Sequence, residues 1–304
     1  MNIAETGAEG VSTAPKKNLF QSVRMFPRQD NGNQQPPATE FAEHAARVNS
    51  PPSKAADKGF SAEIDGIASR IKQFGRDVPR FTTGLPEADE LVYGDRFAFL
   101  VACSLDRDAK SQVIWRIPYY IKQSLGHLDP EKLSRMSLEE IGNLLNRLPA
   151  KPRYMNDAPF TIRQLAQTVS NEFGNNADAV WIGRTVLDIR DTLLAIRSVG
   201  PGIANMTINL LHRYFGIAFQ VDDFRRIDVK PDVHVERVFL RTGLSTGAER
   251  ALFAARLHSP EYPGELDLGA WEIGKRWCHA NAPLCGACPL GDTCPKMKVH
   301  ITRV

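Results

Sequence analysis

The 304-residue sequence has no apolar run long enough to span a bilayer, and it has few stretches that alternate apolar and polar residues as a half-buried strand does. The first lack excludes a membrane-spanning helix as the basis of its function, so no membrane partner is expected. The second points away from sheets. The sequence also lacks an excess of charge of one sign: 38 Lys and Arg against 35 Asp and Glu leave a formal charge of +3, with a pI near 8.6. Such a balance permits nucleic-acid binding without arguing for it, because each phosphate contact is a local charge pairing. The N-terminal MNIAETGAEG has no basic start followed by an apolar core, so no secretory signal is expected. The expected location is cytoplasmic, and nucleoid-associated in a bacterium. Cysteine is scarce except in one place: of 5, four fall at Cys278, Cys285, Cys288 and Cys294, and Cys103 stands alone. In a reducing compartment that crowding reads as a metal site before it reads as disulfides.

Residues 1–58 hold QQPPATE and SPPSKAADK, many Gly, Asn and Ser, and few large apolar side chains. They are expected to form a disordered, solvated tail, with Lys16, Lys17, Arg24 and Arg28 available for weak DNA tethering. From Gly59 the periodicity becomes helical. FSAEIDGIASRIKQFG places Phe60, Ile64, Ile67 and Ile71 at three- and four-residue spacing. The following DRFAFLVACSLDRDAKSQVIWRIPYYIKQSLG predicts two helices with a break near Ser104–Asp108. SLEEIGNLLNRL carries Ser137 with Glu140 three residues on, a capping-box signature. FTIRQLAQTVSNEFG, RTVLDIRDTLLAIR and INLLHRYFG are further amphipathic helices, and DVHVERVFLRTG runs from Asp232 to Gly243, good start and stop chemistry. AFQVDDFRRIDVK is left open between a short hairpin and an irregular loop. The expected class is all-α.

The cysteine spacing is Cys278-x6-Cys285-x2-Cys288-x5-Cys294. Thiolates are soft ligands, and four in a short loop can surround one cubane or one tetrahedral ion. Pro283, Gly286, Pro289 and Gly291 permit the tight turns that would aim four sulfurs inward. Zinc is the rival, but zinc sites usually pair two close doublets and only one C-x2-C is present. This spacing resembles, at all four positions and intervals, the C-terminal iron–sulfur loop of endonuclease III and adenine-DNA glycosylases. The resemblance implies a [4Fe-4S] cluster. Lys275, Arg276, Lys296, Lys298 and Arg303 flank the loop, as a phosphate-facing loop or an ordinary solvated surface would have them.

Two more segments carry the same resemblance, in the same order along the chain. IRSVGPGIANMTINLL is similar to the superfamily's helix-hairpin-helix, Leu-Pro-Gly-Val-Gly-x-Lys-Thr-Ala, matching at Val199, Gly200, Ala204 and Asn205. The resemblance implies a sequence-neutral phosphate clamp at Ser198, Gly200 and Gly202, where glycine lets a backbone approach an anion and the next helix offers unpaired N–H groups. The departures bear on chemistry. Ser198 replaces the first hairpin glycine, Arg197 the proline, and the Schiff-base lysine falls on Gly202, which can form no imine. The expectation is therefore a monofunctional enzyme. VKPDVHVERVFLRTGL resembles Val-Asp-Thr-His-Ile-x-Arg-Val at Asp232, His234, Arg237 and Val238, and the catalytic carboxylate maps onto Asp232. Breaking an N-glycosidic bond builds positive charge on the sugar, which a carboxylate stabilises directly or by activating water. A plain N-cap would also put an Asp at that position. His234 and Arg237 are expected to tie the helix to its neighbours. Asp222, Asp223, Asp228, Arg225, Arg226 and Lys230 precede Asp232 in a longer loop that either shapes a base pocket or is a surface excursion; Lys230 is a candidate displaced amine. The stretch Cys103-Ser104-Leu105-Asp106-Arg107 stands where the resemblance puts a base-flipping wedge, so Arg107 either enters the duplex or pairs with a nearby carboxylate. Trp115, Tyr119, Tyr120, Tyr154 and Trp181 are stacking candidates of which none is selected.

The resemblance spans roughly Arg80 to Lys296 and implies two helical domains flanking a DNA-binding groove: residues 59–80 as a helix packing on the cluster domain, 81–215 as a helical barrel ending in the helix-hairpin-helix (187–215), and 216–304 as the catalytic-Asp and cluster domain. The function so implied is a DNA N-glycosylase of base excision repair acting on double-stranded DNA as a monomer. The alternatives are a bifunctional glycosylase and abasic-site lyase, and a non-catalytic iron–sulfur DNA-binding protein.

Overall fold

Every regular element among the described residues, 54–247 and 250–298 of this computed structural model, is helical. Most of the tail, 1–53, lies outside them, but the first helix, α1 (Lys54–Asp77), already begins five residues before Gly59. It buries Ile64, Ile67, Ala68 and Ile71 on one stripe, the three- and four-residue spacing read from the sequence.

A first core is assembled by the helices between residues 86 and 215. These are α2 (Pro86–Gly94), α3 (Arg96–Leu105), α4 (Ser111–Ile114), α5 (Ile117–Leu125), α6 (Pro130–Arg135), α7 (Leu138–Arg147), α8 (Ala158–Glu172), α9 (Val186–Leu194) and α10 (Pro201–Phe215). Helix α3 is apolar on all sides and buried from Phe97 through Leu105, so it runs through the middle of this core. Asp95 caps it, its carboxylate accepting from the backbone N–H of Phe97 and Ala98 at 2.9 and 3.0 Å. The chain does break after Leu105, as expected. The second predicted helix is itself split into α4 and α5, because Pro118 offers no N–H to continue the ladder and its ring clashes one turn back. The capping box on α7 is present: Glu140 N–H donates to Ser137 Oγ at 3.1 Å, and Ser137 N–H donates back to Glu140 Oε2 at 2.7 Å.

Residues 216–230, left open between hairpin and loop, form a short helix α11 (Val221–Phe224) and turns. Ile217, Phe219, Phe224 and Ile227 pack against the first core. Asp228, nearly buried, receives both arms of the Arg256 guanidinium at 2.8 and 2.7 Å, which fixes the far end of the segment.

A second core joins α1 to α12 (Val233–Thr242), α13 (Ala251–His258) and α14 (Glu265–Arg276), with Ile67, Ile71, Val235, Phe239, Ala270, Ile273 and Leu290 inside. Each such buried Ile, Leu or Phe contributes about 1.5–3 kcal/mol relative to exposure. Helices α12 and α14 touch backbone to backbone at Gly274, where an added Cβ would stand 2.7 Å from His234 Cβ. A groove remains between the two cores.

Candidate active site

Asp232 lines this groove, in extended conformation (φ −107°, ψ 171°) at the N-cap of α12. Its Oδ1 accepts from the backbone N–H groups of His234 and Val235 at 2.8 and 2.9 Å. Both bonds use one oxygen, so Oδ2 has no partner among the described residues. Capping and chemistry therefore do not compete: one oxygen orients the carboxylate and the other is free to act.

A second carboxyl, Asp267 in the first turn of α14, lines the same cleft. Its Oδ1 accepts from Lys230 N–H at 2.7 Å. Burial pushes Asp267 up to about 7 and the negative charge of Asp232 pushes the same way, against the pull of the Lys230 N–H and ammonium. Near neutral pH Asp267 is thus divided between acid and carboxylate. Lys230 itself lines the cleft, its ammonium donating to the Asp106 carbonyl at 3.2 Å and to Met206 Sδ at 3.4 Å.

The cleft encloses about 1190 Å³, more than a nucleobase needs. Its walls carry Phe81, Trp115, Tyr154, Tyr214, Tyr262 and Trp271. Phe81 meets Trp115 and Trp271 edge to face at 5.2 and 6.2 Å, and the Lys275 ammonium lies 4.5 Å over Trp271. Lys72, Arg76, Lys110, Arg153, Arg213 and Lys275 line it together with the carboxylates Asp106, Asp108, Asp232, Glu265 and Asp267. On the first-core side, Asp106 is occupied by Ser111 Oγ at 3.1 Å and Trp115 Nε1 at 3.0 Å. Arg107 pairs with no carboxylate among the described residues; its guanidinium covers the Tyr154 ring at 4.3 Å, and the Tyr154 hydroxyl donates to Asp108 at 2.5 Å. Of the other stacking candidates, Trp181 is buried in the first core, and Tyr119 and Tyr120 meet edge to face and do not line the cleft. Cys103 is fully buried among the first-core side chains.

The hairpin lies before α10. Ser198 takes a left-handed backbone (φ +69°), the conformation a glycine adopts at no cost. Gly200 is the N-cap of α10 and Gly202 the second residue of its first turn, where helix N–H groups lack internal partners. Arg197 pins the turn to α8: its N–H donates to Gln164, its guanidinium pairs with Asp157 at 3.0 Å and stacks on Phe160. None of Ser198, Gly200 and Gly202 lines the cleft.

Cys278, Cys285, Cys288 and Cys294 together line one small cavity of about 30 Å³, with Arg241, Trp277 and Gly291. All four are free thiols. Burial raises Cys288 and Cys294, and the charge of the other loop thiols raises them further, the electrostatic mark of four sulfurs brought close. Donors point at them: Leu290 N–H to Cys288 Sγ at 3.5 Å, Lys296 N–H to Cys294 Sγ at 3.4 Å, and Arg241 to Cys278 Sγ at 3.4 Å. Among the described residues no three His, Cys, Asp or Glu side chains are grouped closely enough for a single metal ion. The donor set, four thiols about a shared cavity with N–H groups directed at sulfur, fits an iron–sulfur cluster. Helix α12 connects this loop to Asp232. Arg237 donates to the carbonyls of Cys278 and Gly274 and to His234 Nδ1, and Arg241 donates to the carbonyls of His279 and Ala280 at 2.6 and 2.7 Å.

The backbone is similar to that of a chain in a non-covalent endonuclease III–DNA complex, with a TM-score of 0.55 and 18% identity over 77% of this chain and 95% of that one. The chain has the endonuclease III fold. It is also similar to a thermostable thymine-DNA glycosylase, with a TM-score of 0.53 and 18% identity over 78% of this chain and 97% of that one. No family model matches the sequence, and no curated protein matches it.

On this fold the groove brings together Asp232 and Lys230 from the sequence reading, with Arg107 at its edge through Tyr154. It keeps the cysteine loop at the opposite end of α12. It also contributes residues that the sequence reading did not select: Asp267, Trp271, Tyr262 and Asn209. A signal for two of them existed. Asp267, Trp271 and Lys275 recur every four residues on α14, on the face opposite the buried Leu266, Ala270 and Ile273.

Proposed function

We propose that this protein is a DNA N-glycosylase that draws one nucleotide out of double-stranded DNA into the cleft and hydrolyses its N-glycosidic bond. The observation that carries the reading is the Asp232 carboxylate, oriented by two backbone N–H groups through one oxygen and lining a cleft walled by aromatic rings. A flipped base stacks on the aromatic wall, where the Trp271 ring meets His234 of α12 edge to face at 6.4 Å and lies under the Lys275 ammonium. Asp232 Oδ2 faces the sugar, stabilising the positive charge that develops as the base departs or taking a proton from the attacking water. Gly202 supplies no amine from the hairpin, which supports water as the partner in base release. Ser198, Gly200 and the first turn of α10 hold a phosphate through backbone N–H groups, and Arg107 with Tyr154 borders the extruded nucleotide. One chain holds all these parts, so the unit of action is a monomer.

Cys278, Cys285, Cys288 and Cys294 would hold a [4Fe-4S] cluster. Bound there through the four thiolates, such a cluster would cross-link the C-terminal loop. Arg241 and Arg237 carry that order to the N-terminus of α12.

The reading is tested with labelled duplexes carrying a panel of damaged, mismatched and methylated bases, each reaction divided between hot alkali and none. Alkali-revealed breaks on at least one duplex are expected. Protein that binds the duplexes but leaves no alkali-labile site on any of them would favour a non-catalytic DNA binder.

A further inference from the structure

Asp267 is tied to Asp232 through the backbone of one residue. Lys230 N–H donates to Asp267 Oδ1 at 2.7 Å, and Asp232 N–H donates to the Lys230 carbonyl at 2.8 Å. The second carboxyl is therefore placed relative to the first by main chain and not by a flexible stem. Only Oδ1 is engaged; Oδ2 has no partner among the described residues. Trp271 stands one turn further along α14, and residues four apart on a helix are neighbours on one face. Asp267, Trp271 and Asp232 all line the cleft. A base stacked on Trp271 thus lies beside Asp267, with Asp232 left for the sugar.

The charges around Asp267 favour its acid form. Burial leads, pushing the carboxyl up to about 7, and the Asp232 charge pushes the same way, while the Lys230 N–H and ammonium oppose them. That ammonium is bonded elsewhere, to the Asp106 carbonyl and Met206 Sδ. On the same helix Glu265 is engaged by Arg76 of α1 at 2.6 Å. From α10, the Arg213 guanidinium donates to the carbonyls of Arg76 and Val78. Neither guanidinium is bonded to Asp267.

We propose that Asp267 is a second catalytic carboxyl, the general acid that protonates the departing base while Asp232 serves the sugar, and that the base removed is accordingly an uncharged one. The inference rests on the glycosylase reading and adds the leaving-group step to it. The C1′–N bond breaks and its electron pair passes to the base, which takes the Asp267 proton. Water adds its oxygen to C1′ and gives a proton to Asp232. Solvent then removes the proton from Asp232 and returns one to Asp267, so the sum is base, water and sugar only. A base already cationic through N-alkylation departs neutral without this proton, so the acid is of use on mismatched or oxidised uncharged bases.

The test is single-turnover base release by the full protein, with protein in saturating excess, from pH 5 to 9 on the duplex that the panel identifies. The wild-type rate is expected to be level at low pH and to fall about tenfold per unit above the titration of Asp267. Asp267→Asn, which keeps an acceptor for Lys230 N–H, is expected to be slower by about 100-fold or more near pH 6 and to lose that alkaline limb. A merely structural defect would slow the reaction and leave the limb in place. Three results would overturn the proposal: a wild-type rate level to pH 9, an Asn variant within a few-fold of wild type at pH 6, or a slow variant that retains the limb. The first needs no variant, so a variant that fails to fold leaves the proposal testable. Release confined to cationic, N-alkylated purines would also overturn it. In each of these cases base release by the wild type still stands, and with it the glycosylase reading; wild type that binds DNA and releases no base from any duplex counts against that reading instead.

Discussion

Two carboxyls share one cleft in different surroundings. Asp232 is oriented by backbone N–H groups at a helix start, whereas Asp267 is enclosed, faces the charge of Asp232 and sits near 7. The raised value has a thermodynamic consequence. In the unfolded chain an aspartate loses its proton from about pH 4, while the folded protein keeps it to about 7. The stabilising effect of the bound proton is complete below that window, declines across it, and is gone above it. Asp267→Asn, which preserves an acceptor for Lys230 N–H, is expected to match wild type in stability near pH 4 and to exceed it by about 2–4 kcal/mol at pH 8. Thermal melts of both proteins across this range check it; parallel curves would show that Asp267 is not held protonated. The sequence disclosed Asp232 because its signal is local, a carboxylate at a helix start within a recognisable octet. It did not disclose Asp267, whose meaning comes from the Asp232 charge 35 residues earlier in the chain, a neighbour created only by folding.

At the scale of elements, α12 is the part that connects chemistry to support. Its first turn carries Asp232, its middle carries Arg237 and its last turn Arg241, both bonded to the carbonyls of the cysteine loop. Its position is set by α14 through the contact at Gly274. In Gly274→Ala the new Cβ would meet His234 Cβ, Cα and O at 2.7–3.0 Å, atoms that cannot rotate away. The expected cost is about 1–3 kcal/mol, or roughly 2–10 °C in Tm for a protein of this size, with a parallel loss of base release as Asp232 is displaced. An unchanged Tm would mean that α12 and α14 are not in backbone contact. Element boundaries were legible where the chemistry is short-range: the Ser137–Glu140 box, the break after Leu105, the glycine stop at Gly243. The second capping box, Thr185 with Asp188, was equally local and passed unnoticed. The split at Pro118 and the short helix at Val221–Phe224 were missed for a different reason. In the first, apolar periodicity on both sides masked the proline. In the second, Phe224 and Ile227 gain their order from the first core and not from their own sequence.

At the scale of the whole molecule, the two helical cores leave a large cleft, and that cleft collects the Asp232 carboxylate, the titratable Asp267, the Lys230 amine and a wall of rings. The cysteine loop stands apart from it, at the far end of α12, consistent with a supporting role. A pair of cores divided by a groove could be anticipated from the ordered series of motifs. The composition of the groove could not, because its lining is drawn from α1, the α3–α4 connection, α10, the segment before α12, and α14. The measurement that bears most directly on the central claim is single-turnover base release by Asp232→Asn beside wild type, on whichever duplex the panel identifies, with binding measured in parallel. A fall of at least about 100-fold in rate at unchanged affinity is expected for loss of the charge at the sugar. Base release within a few-fold of wild type from a variant that binds equally well would contradict it and move the chemistry away from this aspartate.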